Sequence, residues 1–186
     1  ALIILVFIAV FRLSDITMGI MANPFYLDIG FTKSEIAGVS KIFGFFMTLL
    51  GAFLGGLSVL RYGLYKPLIF AAVLTAVTNL LFVYLANVGH EMSGLVLAIS
   101  GDNISGGFAG AVFIAYLSSL TNRTFTATQY ALFTSLMLLP GKFFSGFSGV
   151  IVDATNYQTF FTYAALMGIP AILLSWIIWK KTVSST

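Results

Sequence analysis

The sequence predicts an all-α membrane protein with six transmembrane helices. Of its 186 residues, 59% are hydrophobic and only 8% are charged, whereas a water-soluble domain carries about 25% charged residues. The apolar residues form six stretches separated by short links, each close to the roughly 20 residues that a helix needs to cross a bilayer. This composition excludes a water-soluble domain and leaves no room for a soluble catalytic one.

Turn residues and polar links bound the predicted spans. The chain begins at Ala1 inside an apolar run, with no initiator Met or basic stretch, so we expect a helix entered partway rather than a signal peptide. Pro67 opens the third span, where its missing N–H costs nothing, while Pro140 and Pro170 lie inside the fifth and sixth and predict kinks. Within a single bundle over residues 1–186, the spans are 2–26, 35–60, 67–88, 92–120, 127–152 and 158–181.

Small residues four apart predict where helices approach each other closely. Such pairs let helix backbones pack in lipid, where exclusion of water provides no driving force. In the second, fourth and fifth spans they are Gly51 with Gly55, Gly106 with Gly110, and Ser145 with Gly149.

Basic residues outside the spans predict the orientation. The links after the second and fourth spans and the C-terminus hold Arg61, Lys66, Arg123, Lys180 and Lys181, whereas the opposite links hold Lys33 with the acids Asp28, Glu91 and Asp153. Cytoplasmic links are enriched in Lys and Arg, so both ends of the chain are predicted to be cytoplasmic. The net charge of +3 reflects this asymmetry and does not indicate a nucleic-acid partner.

Five ionisable residues lie inside the predicted spans. They are Arg12, Asp15, Lys41, Asp102 and Lys142. A charge at the bilayer centre costs about 2.5–3.5 kcal/mol on an insertion scale, so such residues usually face a bundle interior or a water-filled pathway. They therefore indicate a transport pathway. The alternative is that they form buried ion pairs that fix helix register, either Arg12 with Asp15, three residues apart on one helix face, or Lys142 with Asp102.

Several of these residues are predicted at similar depth. Asp15, Lys142 and the pair Asp102–Asn103 each lie about 15 Å below the outer surface by helix rise, so they can meet near the midplane. Lys41 is shallower. The third and sixth spans carry no embedded charge, which predicts an inner ring of four helices and an outer pair.

The charge balance indicates the kind of solute. Three cations against two carboxylates suit an anionic or carboxylate-bearing solute, and carboxylates in low-dielectric surroundings are candidates for carrying a proton. A stripe of Thr128, Ser135, Lys142 and Gly149 forms one face of the fifth span, as expected for the wall of an aqueous cavity. No hydrolase, nucleotide-binding or metalloenzyme motif occurs, so we expect no enzyme activity, cofactor or metal. His90, beside Glu91, is interpreted as part of a solvated turn.

The link after the second span resembles a loop of the major facilitator superfamily. Gly56, Arg61, Gly63 and Lys66 match its glycines and basic residues, whereas Leu60 stands where the family has an acidic residue. The resemblance implies a gating loop and one six-helix half of that fold, without the salt bridge that the acidic residue makes.

A narrower resemblance, over nearly the whole chain, is to the C-terminal half of the AmpG-type muropeptide permeases. It rests on residues 11–15, 30–36 with Lys41, 102–103, and 125–132, where Thr126 to Leu132 reads TATQYAL. Ser14 replaces a family Gly, and Lys142 follows Gly141 where the family has Arg.

This resemblance implies proton-driven import of anhydro-muropeptides, fragments of the cell wall, across the bacterial inner membrane. It implies that Arg12, Lys142 and Lys41 bind carboxylates, and that Asp15 and Asp102 couple transport to protons. Asn103, Tyr116 and Gln129 would bond hydroxyl or amide groups, with packing as an alternative for the last two.

Several alternatives stay open. The partners expected are solute, protons, the lipid bilayer, and either a missing N-terminal six-helix half or a second copy in a homodimer. The solute could instead be another anion, such as acetyl-CoA, or a drug. A non-transporting membrane sensor or scaffold is the alternative from a different class.

Overall fold

The computed structural model describes residues 2–121 and 126–184, and in these ranges all regular structure is helical. Six helices are long and apolar enough to cross a membrane, which confirms the predicted fold class. We call them spans one to six: Leu2–Asp28, Lys33–Tyr62, Tyr65–Val88, Met92–Leu120, Ala127–Ala154 and Tyr157–Val183. The predicted ranges fall inside these helices. Arg123 and Phe125, used above for the orientation and the family resemblance, lie outside the described residues.

Four of the six spans consist of more than one helical segment. The segments are α1 (Leu2–Phe11), α2 (Leu13–Asp28), α3 (Lys33–Ala37), a π-helical stretch (Gly38–Gly44), α4 (Phe45–Tyr62), α5 (Tyr65–Val88), α6 (Met92–Leu120), α7 (Thr126–Ser145), α8 (Ser148–Ala154), α9 (Tyr157–Leu166) and α10 (Ile169–Val183). Span one is interrupted at Arg12, span five after Ser145, and span six after Leu166, just before Pro170. Pro140 lies within α7, ahead of the interruption in span five.

The spans form a back layer, a floor and two walls. Spans three and six pack against spans one and four, and these four helices supply almost all of the two buried apolar clusters. Span two packs on span four, and span five packs on span one. Spans two and five are the least buried of the six, so they flank an open face whose floor is spans one and four.

The two ends of the bundle differ in charge. The link between spans two and three and the end of span six carry Arg61, Lys66, Lys180 and Lys181, and we call this the basic end. At the opposite, acidic end, the Tyr157 hydroxyl donates a 2.5 Å hydrogen bond to the Asp28 carboxylate, and His90 lies 3.8 Å from Glu35. His90 also packs edge-on against Phe31, so the predicted solvated turn is half-exposed and anchored to the neighbouring link.

Glycines bring the backbones of spans two and four into direct contact. A Cβ atom added at Gly51 would lie 2.1 Å from the Ile104 carbonyl oxygen, and one added at Gly107 would lie 2.2 Å from that of Thr48. Gly55 makes a similar approach to Phe108. Small residues are therefore required here, as the pair Gly51 and Gly55 predicts, but span four contributes Gly107 where the sequence indicated Gly106.

Adjacent glycines of span four provide a matched test of this packing. We expect Gly107→Ala to lower the free energy of unfolding by about 1–3 kcal/mol, because its methyl group would meet rigid backbone. Gly106→Ala has open space around it, so it should leave stability unchanged or slightly raised. Thermal unfolding of the purified protein in detergent measures both, and equal midpoints would contradict the close contact.

Candidate solute site

An ion pair on span one lies at the centre of the site. The Arg12 guanidinium donates a hydrogen bond to the Asp15 carboxylate, one helical turn away. Both side chains are largely buried, with exposed fractions of 27% and 15%. Arg12 occupies the interruption between α1 and α2, and its Nη1 would lie 3.8 Å from a Cβ at Gly110. The guanidinium therefore lies next to Gly110 of span four.

Asp102 joins this pair from span four. Its half-buried carboxylate lies close enough to Asp15 and Arg12 to interact electrostatically with both. Two carboxylates and one guanidinium therefore share the floor near the middle of the helices. Their net charge is −1 when all three are ionised, because Arg12 offsets only one of the two acids.

Three grooves run along one face of span one. We call it the span-one face and define it by Arg12, Ile16, Gly19, Ile20, Asn23 and Leu27; apart from the adjacent Gly19 and Ile20, these positions recur every three or four residues. The groove at Arg12 has a volume of about 230 Å³ and is bounded by spans four and five. The groove at Ile16 has about 430 Å³ against span five. The groove at Asn23 and Leu27 has about 460 Å³ against span two.

Lys142 and Lys41 line two of these grooves from opposite walls. Lys142 of span five is exposed beside Ile16 and Gly19. Lys41 of span two is exposed beside Asn23 and lies in the π-helical stretch, a distortion that is frequent at functional sites. Neither amine forms a salt bridge within residues 2–121 and 126–184. Both are therefore available to an anion, but they are not part of the Arg12–Asp15–Asp102 cluster.

Asn103 connects two helices. Its side-chain oxygen accepts a 2.8 Å hydrogen bond from the Thr48 hydroxyl of span two, and its amide nitrogen donates to the Ile99 carbonyl. The same amide packs against Gly44. Asn103 therefore holds the wall formed by span two against the floor, and its predicted role in solute binding stays a prediction.

Tyr116 and Gln129 line none of the three grooves described above. Tyr116 is buried in an aromatic cluster with Phe7 and Phe113, and its hydroxyl has no hydrogen-bond partner among the described residues. Gln129 lies half-buried in the first turn of α7. Tyr116 therefore lies among aromatic side chains, and the predicted contact of both residues with solute stays a prediction.

The predicted gating loop lies at the basic end. Gly63 has a φ angle of +76°, a conformation that favours glycine, and ends span two in a tight turn before α5. Arg61 and Lys66 are exposed, and nothing lies within 4 Å of a Cβ built at Gly56. Leu60, at the family's acidic position, is 86% exposed.

Two features of the site were missed in the sequence. Asn23, Lys33 and Ser40 surround Lys41 in the groove between spans one and two, and the helical spacing of Asn23 from Arg12 was a usable signal. Ser14 donates a 2.7 Å hydrogen bond to the Ala164 carbonyl and accepts one from Asn79. The serine that replaces the family's glycine therefore ties span one to spans three and six behind the site.

A six-helix bundle with an open, charged concave face is one half of a major-facilitator-type transporter. Comparison with known proteins supports this class and narrows it. "Putative transporter AmpG 4" of Rickettsia conorii is 31% identical over 174 residues, which is 94% of this chain and 42% of that protein. "Putative transporter AmpG 4" of Rickettsia felis is 30% identical over 97% of the chain and 44% of its own length. "Putative transporter AmpG 1" of Rickettsia bellii is 32% identical over 93% and 42%, respectively.

These relatives confirm the predicted resemblance, because the chain is AmpG-like over nearly its whole length. It spans about two fifths of the length of the relatives it matches. No protein-family model matches the chain.

The three-charge cluster predicts a coupling that stability measurements can detect. Arg12→Gln should be destabilising because it leaves Asp15 and Asp102 facing each other without a counterion. In an Asp102→Asn background, Arg12→Gln should lower the free energy of unfolding by a smaller amount. The difference between the two effects is the coupling free energy, expected to be about 0.5–3 kcal/mol. Thermal unfolding of the four proteins of this cycle gives the coupling.

The matched control is Lys180→Gln, a charge removal at the basic end. Its effect on the free energy of unfolding should simply add to that of Asp102→Asn, since the two sites are far apart. A coupling free energy of zero between Arg12 and Asp102 would mean that the two side chains do not interact.

Proposed function

We propose that this chain forms half of a secondary active transporter that imports anhydro-muropeptides across the bacterial inner membrane together with protons. The similarity to proteins named as AmpG transporters supports the class of protein. The observation that carries the mechanism is the Arg12–Asp15–Asp102 cluster on the floor of the open face. We propose no enzyme activity for this chain.

Solute binding is assigned to cations on three sides of the open face. Arg12 on the floor, Lys142 on one wall and Lys41 on the other each line a groove along the span-one face. A solute with carboxylates can thus contact more than one cation at a time. Asn103, Tyr116 and Gln129 complete the proposed set, with Asn103 acting through its bond to Thr48.

Proton coupling is assigned to Asp15 and Asp102, through charge balance. Without solute, Arg12 is paired with Asp15, and its charge also attracts the Asp102 carboxylate. When a solute carboxylate draws the guanidinium away, two acids remain close together in surroundings of low dielectric. A proton taken up by one carboxylate relieves their repulsion, so solute and proton bind together.

The proposed site needs a second six-helix half to enclose the solute, and the bundle needs an orientation in the membrane. Transporters of this class hold solute between two six-helix halves. The exposed faces of spans two and five flank the open face, so we propose that a further six-helix half, or a second copy of this chain, packs there. The positive-inside rule puts the basic end, with the gating loop of Gly56, Arg61, Gly63 and Lys66, in the cytoplasm.

Removal of one carboxylate tests the coupling. In cells that lack their own permease, labelled anhydro-muropeptide should accumulate through the unaltered protein, and a protonophore should abolish the accumulation. Asp102→Asn should abolish accumulation but retain exchange of solute across the membrane, because the charge that holds the proton is gone. Asp153→Asn, at the exposed acidic end, is the matched control and should transport normally.

The results separate the parts of the proposal. Proton-driven uptake that survives in Asp102→Asn would exclude this residue from coupling. No uptake of labelled anhydro-muropeptide, with the protein present in the membrane, would withdraw that solute and point to another anion. Binding without any flux would point to a sensor.

Removal of one wall cation tests solute binding. Lys142→Gln should raise the KM for uptake about tenfold or more, as expected for the loss of a charge-assisted hydrogen bond. Lys142→Arg should retain most of the affinity, and Lys180→Gln, outside the open face, should leave KM unchanged. An unaltered KM in Lys142→Gln, with normal expression, would remove Lys142 from the site.

A further inference from the structure

A separate groove lies at the basic end between spans two, three and four. It has a volume of about 390 Å³ and is lined by Ser58, Tyr62, Lys66, Pro67, Phe70 and Phe108. None of these residues lines the three grooves of the span-one face. Phe70 packs edge-on against Phe108 at a centroid distance of 5.4 Å and remains 54% exposed. The groove is therefore an open apolar channel between helices, and its lining includes one charged side chain, Lys66.

Neither Lys66 nor Arg61 forms a salt bridge within residues 2–121 and 126–184. The Arg61 guanidinium lies over the ring of Tyr62, 5.5 Å from its centre, and Tyr62 lines the groove together with Lys66. The sequence contains no Asp or Glu between Glu35 and Glu91, so spans two and three and their link supply no countercharge after α3. Leu60 removes the acidic residue that the loop of the superfamily carries here. An anion from outside the chain can fill that role.

The position of Lys66 fits the boundary between lipid and water. Lys66 is in the first turn of α5, where the free backbone N–H groups add positive potential. Phe70 lies one turn further along the same helix, about 6 Å deeper by helix rise. The groove thus presents positive charge at the level of headgroups and aromatic surface at the level of acyl chains.

We propose that this groove binds an anionic phospholipid, with the phosphate on Lys66 and Arg61 and one acyl chain against Phe70 and Phe108. Basic pockets between transmembrane helices bind lipid headgroups of this kind. The occupant is a lipid rather than free phosphate, because the lining is apolar apart from its mouth. Lipid held here would bridge the link between spans two and three to the membrane surface.

Lipid titrations of the purified protein in detergent, read by native mass spectrometry, test this site. The probes are phosphatidylglycerol and phosphatidylcholine with identical acyl chains, so that the two differ in net charge. The unaltered protein should bind phosphatidylglycerol about fivefold more tightly or better, given the attraction expected per basic residue.

Two variants separate the headgroup contact from the acyl-chain contact. Lys66→Gln should remove most of the preference for phosphatidylglycerol, and Lys66→Arg should retain it. Phe70→Ala should weaken the binding of both lipids to a similar extent, because it shortens the apolar wall. Lys33→Gln removes one positive charge at the opposite end and should change neither affinity.

Three results would overturn the proposal. One is equal binding of the two lipids by the unaltered protein. The second is a preference that survives Lys66→Gln combined with Arg61→Gln in protein with an unchanged unfolding temperature. The third is complete competition by millimolar inorganic phosphate, which would mean that only free anion binds. All three are independent of whether the protein transports muropeptides.

Discussion

The placement of three charges, Arg12, Asp15 and Asp102, in the interior is the constraint on which the arrangement of this bundle depends. Arg12 and Asp15 on span one form an ion pair, and Asp102 of span four adds a second carboxylate within electrostatic reach of both, in a medium that solvates charge poorly. Spans one and four therefore lie side by side with these faces inward. Gly110 of span four lies next to the guanidinium at that contact. The charged floor of the open face follows from this arrangement.

The walls on either side of this floor are attached in different ways. Span two is fixed to span four by glycine-mediated backbone contact and by the hydrogen bond from Thr48 to Asn103. Span five packs mainly on span one, where a Cβ at Gly141 would come within 2.9 Å of the Cβ, Cγ2 and Cδ1 atoms of Ile16. Glycine thus permits close packing at both walls, against the backbone of span four for span two and against a β-branched side chain of span one for span five.

The sequence was sufficient for the helices and for the main charged contact, because both follow from short-range rules. Spanning length and apolar composition define the spans, and the three-residue spacing of Arg12 and Asp15 defines their pairing. Depth along the helices also brought Asp102 to the same level. The sequence could not give rotation about the helix axes, which decides that Gly107 rather than Gly106 meets Thr48 and that Tyr116 faces an aromatic cluster. Nor could it reveal that Ser14 bonds to Asn79, a contact between residues 65 positions apart.

The distribution of charge has a consequence for the order of events in the proposed cycle. The sequence suggested one site with a net charge of +1, but the structure divides the charges into a floor of net −1 and separate lysines on the two walls. An anion is attracted first to Lys41 and Lys142, since the floor repels it while both acids are ionised. Contact of the solute with Arg12 and uptake of a proton by one of the carboxylates then favour each other, whichever comes first. In a divided site of this kind protonation strengthens full binding of the solute, so the proposed coupling does not require Asp15 or Asp102 to touch the solute.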